Sequence, residues 1–233
     1  MQSVSYDPRT IGLASEILFP PIDLDVQRVQ AIHNLLYQDS ESRYQNFQVG
    51  QDGVQLSNPA TQPGQNSSLT FQPDRITVQE ELGPWLPEDF GRRVTRIAEV
   101  CMAELTLPMF VAQQHTIRML VTPKNFQDSR DFLAGRVCGL THEELHAFER
   151  PIGLFGLKLV FPASEGGEEF HALRIESFGE DPRSVFLENV STYPRPIQSG
   201  DLGSIAHSLV TAQKFLTEKA LAFLATQIGR AHV

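Results

Sequence analysis

Residues 170–190 of the chain have the sequence FHALRIESFGEDPRSVFLENV. Leu173 and Ile175 alternate with Arg174 and Glu176, and this period of two is typical of a strand with one buried and one exposed face. A second strand pattern follows the turn signal Gly-Glu-Asp-Pro, so the stretch predicts a β-hairpin. Antiparallel strands tolerate water on one side, which indicates a sheet that helices cover on one face only.

The same patterns place elements along the rest of the chain. Strands are predicted at residues 11–19, 44–49, 53–56, 68–72, 75–81, 115–121, 154–161, 170–178 and 183–190. Helices are predicted at residues 24–37, 87–105, 128–138, 142–149 and 202–227. Each half, residues 1–106 and residues 107–233, therefore has the order β-α-β-β-β-α. We expect an α+β protein of two similar halves, each a mainly antiparallel sheet packed with amphipathic helices, as two domains or as one fused domain.

This layout carries a resemblance to a known group of proteins. Its features are the first strand ending in Phe19-Pro20-Pro21, the repeated strand and helix order, the paired strands at 170–178 and 183–190, and a closing helix that contains Ile205-Ala206-His207 and Phe215-Leu216-Thr217-Glu218. The chain resembles a sporadically distributed family of uncharacterised bacterial proteins of similar length. The resemblance covers most of the chain and implies an α+β fold and a bacterial cytoplasmic setting, but no active-site residue.

The composition narrows the classes of partner. The formal net charge is −9 and the pI is near 5.2, whereas nucleic acids and anionic membranes attract clustered Lys and Arg, so we expect neither as a partner. No apolar run could span a bilayer and the polar N-terminus lacks a signal-peptide pattern, so we expect a cytoplasmic protein. Cys101 and Cys138 lie in apolar helical contexts, which predicts two buried free thiols. No cofactor motif occurs, and we expect no cofactor.

One short string matches a catalytic signature. Residues 142–146 are His-Glu-Glu-Leu-His, the HExxH pattern of zinc metalloproteases. In that pattern His142 and His146 would bind zinc from adjacent turns of a helix, and Glu143 would be the general base that activates the metal-bound water. A zinc hydrolase is therefore one hypothesis.

The neighbouring residues favour a simpler interpretation of this string. Thr141 and Glu144 have the spacing of a capping box, which would place His142 in an exposed first turn. A zinc site also needs a third protein ligand, and the segment after His146 predicts strands with no distinctive candidate. We therefore assign no metal and no catalytic residue, and keep His142, His146 and Glu143 as the alternative.

Charged side chains in the second half alternate with apolar ones. Those expected to share one side of the sheet are Arg118, Lys158, Arg174, Glu176 and Glu188. They predict either a solvated face with cross-strand ion pairs or a surface that binds a ligand or a partner.

The main hypothesis is a non-enzymatic binding or assembly protein that acts through a protein partner or by self-association. No convincing catalytic set is present, and open sheet edges favour pairing with another chain. The alternatives are the zinc hydrolase and a small-ligand-binding module that uses the polar sheet face.

Overall fold

The structure is a computed structural model that describes residues 8–51, 53–123 and 126–228, so most of the polar N-terminal stretch lies outside the described residues. The strands are β1 (Arg9–Leu18), β2 (Asn46–Gly50), β3 (Gly53–Ser57), β4 (Asn66–Gln72), β5 (Arg75–Glu81), β6 (Ala112–Val121), β7 (Gly156–Phe161), β8 (Phe170–Ser177) and β9 (Val185–Tyr193). The helices are α1 (Val26–Gln38), α2 (Pro87–Glu104), α3 (Ser129–Asp131), α4 (His142–His146), α5 (Gly203–Lys214) and α6 (Leu221–Ile228). π-helical segments follow α3 (Phe132–Val137) and α5 (Phe215–Ala220), and a 3₁₀ turn (Ser199–Asp201) precedes α5.

All the described strands form one antiparallel sheet in the order β2-β3-β4-β5-β1-β6-β9-β8-β7. The two halves meet in its centre, where β1 pairs with β6. On each side of this pair lies the last strand of that half, β5 or β9, followed by the strands that precede it in the chain. The α+β prediction is confirmed and the halves share a strand order, while an internal duplication stays a prediction.

The helices cover one face of the sheet because alternate strand residues are apolar on that side. The buried strand residues include Leu13, Ile17, Ile76, Val78, Ile117, Met119, Leu173, Ile175 and Leu187. The helices bury against them the stripes that the sequence predicts, which include Val29, Ile32, Leu36, Phe90, Val94, Ile97, Ile205, Leu209 and Leu216. Burial of each such side chain stabilises the fold by roughly 1.5–3 kcal/mol.

Helices α2 and α5 join the two halves on this face. A Cβ atom at Gly91 of α2 would lie only 3.2 Å from the Cα atom of Ala206 in α5. The missing side chain at Gly91 therefore allows the two helices to approach closely. None of the described helices combines the length and the apolar character that crossing a membrane requires.

The segment after α3 differs from its prediction in two respects. The helix expected there is mainly a π-helix, and it ends at Cys138. Gly139 then takes the left-handed φ of 71°, which turns the chain away. Cys138 is consequently exposed, so the prediction of two buried thiols is correct only for Cys101.

Candidate functional site

The sheet face opposite the helices carries a row of aligned polar and charged residues. The strand register places them directly opposite one another across seven strands, in the order Asn66, Glu81, Gly12, Arg118, Glu188, Arg174 and Lys158. Four of the five predicted surface residues lie in this row, which we call the charged row. The fifth, Glu176, lies two residues from Arg174 on β8.

Ion pairs link the charged row. The guanidinium of Arg118 donates to Glu81 on one side and to Glu188 Oε2, at 2.7 Å, on the other. Arg174 lies 3.3 Å from the second oxygen of Glu188 and 3.7 Å from Glu176. The expectation of cross-strand ion pairs on one face is therefore met, whereas the role of these residues as a binding surface stays a proposal.

Gly12 makes the longest link in this row possible. Glu81 and Arg118 belong to β5 and β6, which both flank β1, and their side chains meet above Gly12. A Cβ atom at position 12 would lie 2.5 Å from Glu81 Oε2 and 3.3 Å from Arg118 Cδ. Neither Gly12 nor Glu81 was among the predicted surface residues, although a glycine inside a strand is a signal for a close approach.

At the centre of the charged row, the positive and negative side chains neutralise one another. Burial lowers the pKa of Arg118, but the hydrogen bond to Glu188 and the charges of Glu81 and Glu188 outweigh that effect, so its pKa lies above the ordinary value. The Glu188 side chain is only 15% exposed. A small ligand at this place would have to displace ion pairs that already satisfy the charges.

The β7 end of the row is different. Lys158 lies opposite Arg174, a like charge, and it makes no ion pair with any described residue. Next to it on the same face, Val160 is 66% exposed and Phe170 is 43% exposed. This corner of the sheet, defined by Lys158, Val160 and Phe170 and called the edge patch below, combines an uncompensated cation with exposed apolar surface.

β7 is the last strand of the described sheet, so no described strand pairs with the backbone groups on its outer side. Ser177 N donates to the carbonyl of Phe155, and Phe155 N donates to Ser177 Oγ. Hydrogen-bonded pairs recur every second residue in an antiparallel ladder, so the odd-numbered residues of β7 bond to β8. The N–H and C=O groups of Lys158 and Val160 therefore point away from the sheet.

The HExxH-like string forms the short exposed helix α4. The Thr141 hydroxyl accepts from Glu144 N, and the Glu144 carboxylate accepts from Thr141 N at 2.7 Å, so the predicted capping box is present. These bonds to Thr141 lower the pKa of Glu144. The rings of His142 and His146 lie 6.1 Å apart between centroids. Glu143 occupies the first turn, and α4 has no buried residue.

A cavity of about 270 Å³ adjoins α4, and His142 and His146 line it together with Asp128, Asp131 and Arg150. Among the described residues, no group of three or more His, Cys, Asp or Glu side chains is placed to hold a metal ion. The geometry of this string is that of a capped helix start.

A buried polar chain that the sequence patterns do not predict lies between the sheet and the helices. His115 Nδ1 lies 2.8 Å from Ser15 Oγ, and His115 Nε2 lies 3.0 Å from Gln113 Oε1. Gln113 in turn donates to Ser208 Oγ of α5 at 2.9 Å. Burial lowers the pKa of His115 to about 3, so the ring is neutral at physiological pH. Ser15 and His115 are fully buried and have no access to a substrate.

No family model matches the chain, and no curated protein matches it. Among solved structures, it is similar to the aspartate kinase of Clostridium acetobutylicum with 7% sequence identity and a TM-score of 0.25, over 91% of this chain and 35% of the kinase. The chain thus spans about a third of the length of that protein.

Proposed function

We propose that this chain is a binding protein that captures an extended segment of a protein partner as an additional strand along β7. The observation that carries the proposal is the open outer side of β7, where the backbone groups of Lys158 and Val160 point away from the sheet. Strand addition of this kind obtains its affinity from main-chain hydrogen bonds and its specificity from alternate side chains.

The edge patch defines the chemistry of the captured segment. On the open face, a partner side chain opposite Lys158 would neutralise an ammonium that no described carboxylate pairs with, so we expect Asp or Glu there. Two residues away, a side chain opposite Val160 would contact apolar surface that Phe170 extends, so we expect an apolar residue there. The partner is therefore a segment with an acidic and an apolar residue at alternate positions.

Lys158 also makes the edge selective. A lysine on an edge strand opposes indiscriminate pairing, because a neutral strand would leave its ammonium group unpaired and a basic strand would repel it. The other edge, β2, has the sequence NFQVG with no charged side chain, and offers no comparable charge to select a partner.

A cytoplasmic setting belongs to the proposal. It is supported by the absence of a disulfide between Cys101 and Cys138, since free thiols are typical of a reducing compartment. The layout resemblance adds a bacterial host as an expectation.

Selection from a displayed library of random peptides tests the proposal. We expect the peptides that bind the wild-type chain to share an acidic residue two positions from an apolar one. Val160→Pro should weaken their binding about tenfold, because proline removes an outward N–H that the captured strand needs. Proline at such a position leaves the ladder with β8 intact, so the variant should fold.

The matched control is Val160→Thr, which keeps the amide and the branched shape and should retain most of the affinity. Lys158→Glu should reverse the preference from acidic to basic peptides. Peptides without an acidic position, or peptides that bind Val160→Pro as tightly as the wild type, would rule out strand addition at β7.

A further inference from the structure

A second cavity lies at the opposite end of β8 from the ion-paired segment and is independent of the β7 edge. Its volume is about 490 Å³, within the range of small-molecule pockets. Three elements line it: the loop between β7 and β8, the C-terminal end of β9 with the residues that follow it, and the N-terminal half of α5. The residues that line it include Glu168, Glu169, Tyr193, Arg195, His207 and Ser208.

The floor of this cavity is buried and polar. Tyr193 is buried, and its hydroxyl donates to the carbonyl of Ser208 at 2.8 Å. Ser208 Oγ accepts from Gln113, the end of the buried polar chain that begins at Ser15. Ser208 is itself buried, so this side of the cavity is joined to the polar chain in the core.

The rim of the cavity carries two carboxylates, a guanidinium and an imidazole. Glu168 and Glu169 come from the β7–β8 loop, whereas Arg195 follows β9 and His207 belongs to α5. None of these four side chains makes an ion pair within the described part of the chain. The carboxylate of Glu169 contributes, after burial, to a raised pKa of Tyr193, which places this charge near the floor.

In the first half, the corresponding place between its last strand and its long helix is filled by side chains. There the last strand, β5, meets the long helix α2 through the buried ion pair of Glu80 with Arg93. Trp85 and Tyr44 pack on the Arg93 guanidinium, at 4.8 and 4.6 Å from their ring centroids. Only about 10 Å³ of space is left beside Trp85. No described residue of the second half fills the same topological position, and the charged side chains there line an open cavity.

We propose that this cavity binds a free α-amino acid. Its carboxylate would lie at Arg195 and His207, its ammonium group at Glu168 and Glu169, and its side chain over the ring of Tyr193. A purely anionic ligand would be repelled by the two carboxylates, and a purely cationic one by Arg195, so a molecule that carries both charges fits this rim best.

Isothermal titration of the full chain with each proteinogenic L-amino acid in turn tests this inference. We expect at least one to bind, and its N-acetyl and amide derivatives, which lack one of the two charges, to bind more weakly. Arg195→Gln and Glu169→Gln should each weaken binding about tenfold, because each removes a charged hydrogen-bonding partner. Arg183→Gln is the control, since Arg183 is exposed and pairs with Asp181 outside the cavity.

Three results would overturn the inference: no heat of binding with any of the amino acids, equal affinity of the derivatives, or full affinity in both cavity variants. All variants are first compared by thermal unfolding without ligand, and an unfolded variant is replaced by Arg195→Lys or Glu169→Asp. Failure here leaves the β7 proposal untouched, because the two sites share no residue.

Discussion

Single residues set the geometry of the open sheet face. Gly12 has no side chain, and its small size allows Glu81 and Arg118 to meet across the strand that separates them. The three residues are far apart in the sequence, and only the order β5-β1-β6 brings them together. One atom added at position 12 would therefore affect a charge on each neighbouring strand.

Gly12→Ala should destabilise the fold by about 1–3 kcal/mol, because the added methyl displaces Glu81 and leaves Arg118 partly unpaired. Urea unfolding of the variant measures this loss. Gly179→Ala is the matched control, since a Cβ atom at Gly179 has open space around it and its cost should be small. Equal stability of the two variants would show that Gly12 has no role in the ion pair.

The buried ring of His115 predicts a dependence of stability on pH. Its pKa is lowered to about 3 in the folded chain, whereas the unfolded chain has the ordinary value of 6.5. Between these values the unfolded state binds more protons, so the stabilisation present above pH 6.5 is lost as the pH falls toward 3. Between pH 7 and pH 5 this single group should lower the free energy of unfolding by about 2 kcal/mol.

His115→Asn should reduce that loss, because asparagine can still bond to its neighbours and does not titrate. Chemical unfolding at pH 7 and pH 5 gives the comparison. His142→Gln, a change of an exposed histidine on α4, should keep the wild-type dependence. If His115→Asn loses as much stability as the wild type, another group causes the acid sensitivity.

At the scale of elements, the sequence predicted most strands and helices well. Period-two alternation identified which residues of β6, β8 and β9 share a face, because alternation is a local property of a strand. It could not identify neighbours across strands, which depend on the register. The π-helical segment after α3 was missed because its six residues are too few for an apolar pattern to distinguish a π-helix from an α-helix. Cys138, which follows this segment, was predicted to be buried for that reason.

Helix α4 is the element whose start was predicted most directly from neighbouring residues. Thr141 and Glu144 form the capping box that their spacing indicates. We predict that the protein, purified without a tag or added metal, carries no zinc in native mass spectrometry. One zinc per chain that disappears in His146→Ala would contradict this and would favour the zinc hydrolase instead.

The whole molecule is organised around the central β1–β6 pair and the α2–α5 contact, which both join the halves. The sequence predicted two similar halves but could not show that they share one sheet, since the pairing of β1 with β6 is a contact of distant segments. The amino-acid cavity was missed for the same reason, because its residues lie on three separated elements.

A shared sheet predicts one cooperative unfolding transition. Trp85, the single tryptophan, reports on the first half by fluorescence, and far-ultraviolet circular dichroism reports on both halves. The two urea transitions should coincide. Gly91→Val should shift both transitions together to lower urea concentration. Overpacking against Ala206 should lower the free energy of unfolding by about 1–3 kcal/mol. Separate transitions would mean that residues 1–106 and 107–233 unfold as independent domains.

The central claim is that the outer side of β7 receives an additional strand, and amide hydrogen exchange measured by NMR tests it most directly. In the free chain, the amides of Lys158 and Val160 should exchange rapidly, whereas those of the odd-numbered residues of β7 should be protected. Addition of a selected acidic and apolar peptide should protect Lys158 and Val160 and leave the amides of β2 unchanged. Protection of these two amides in the free chain, or none on peptide binding, would contradict the claim.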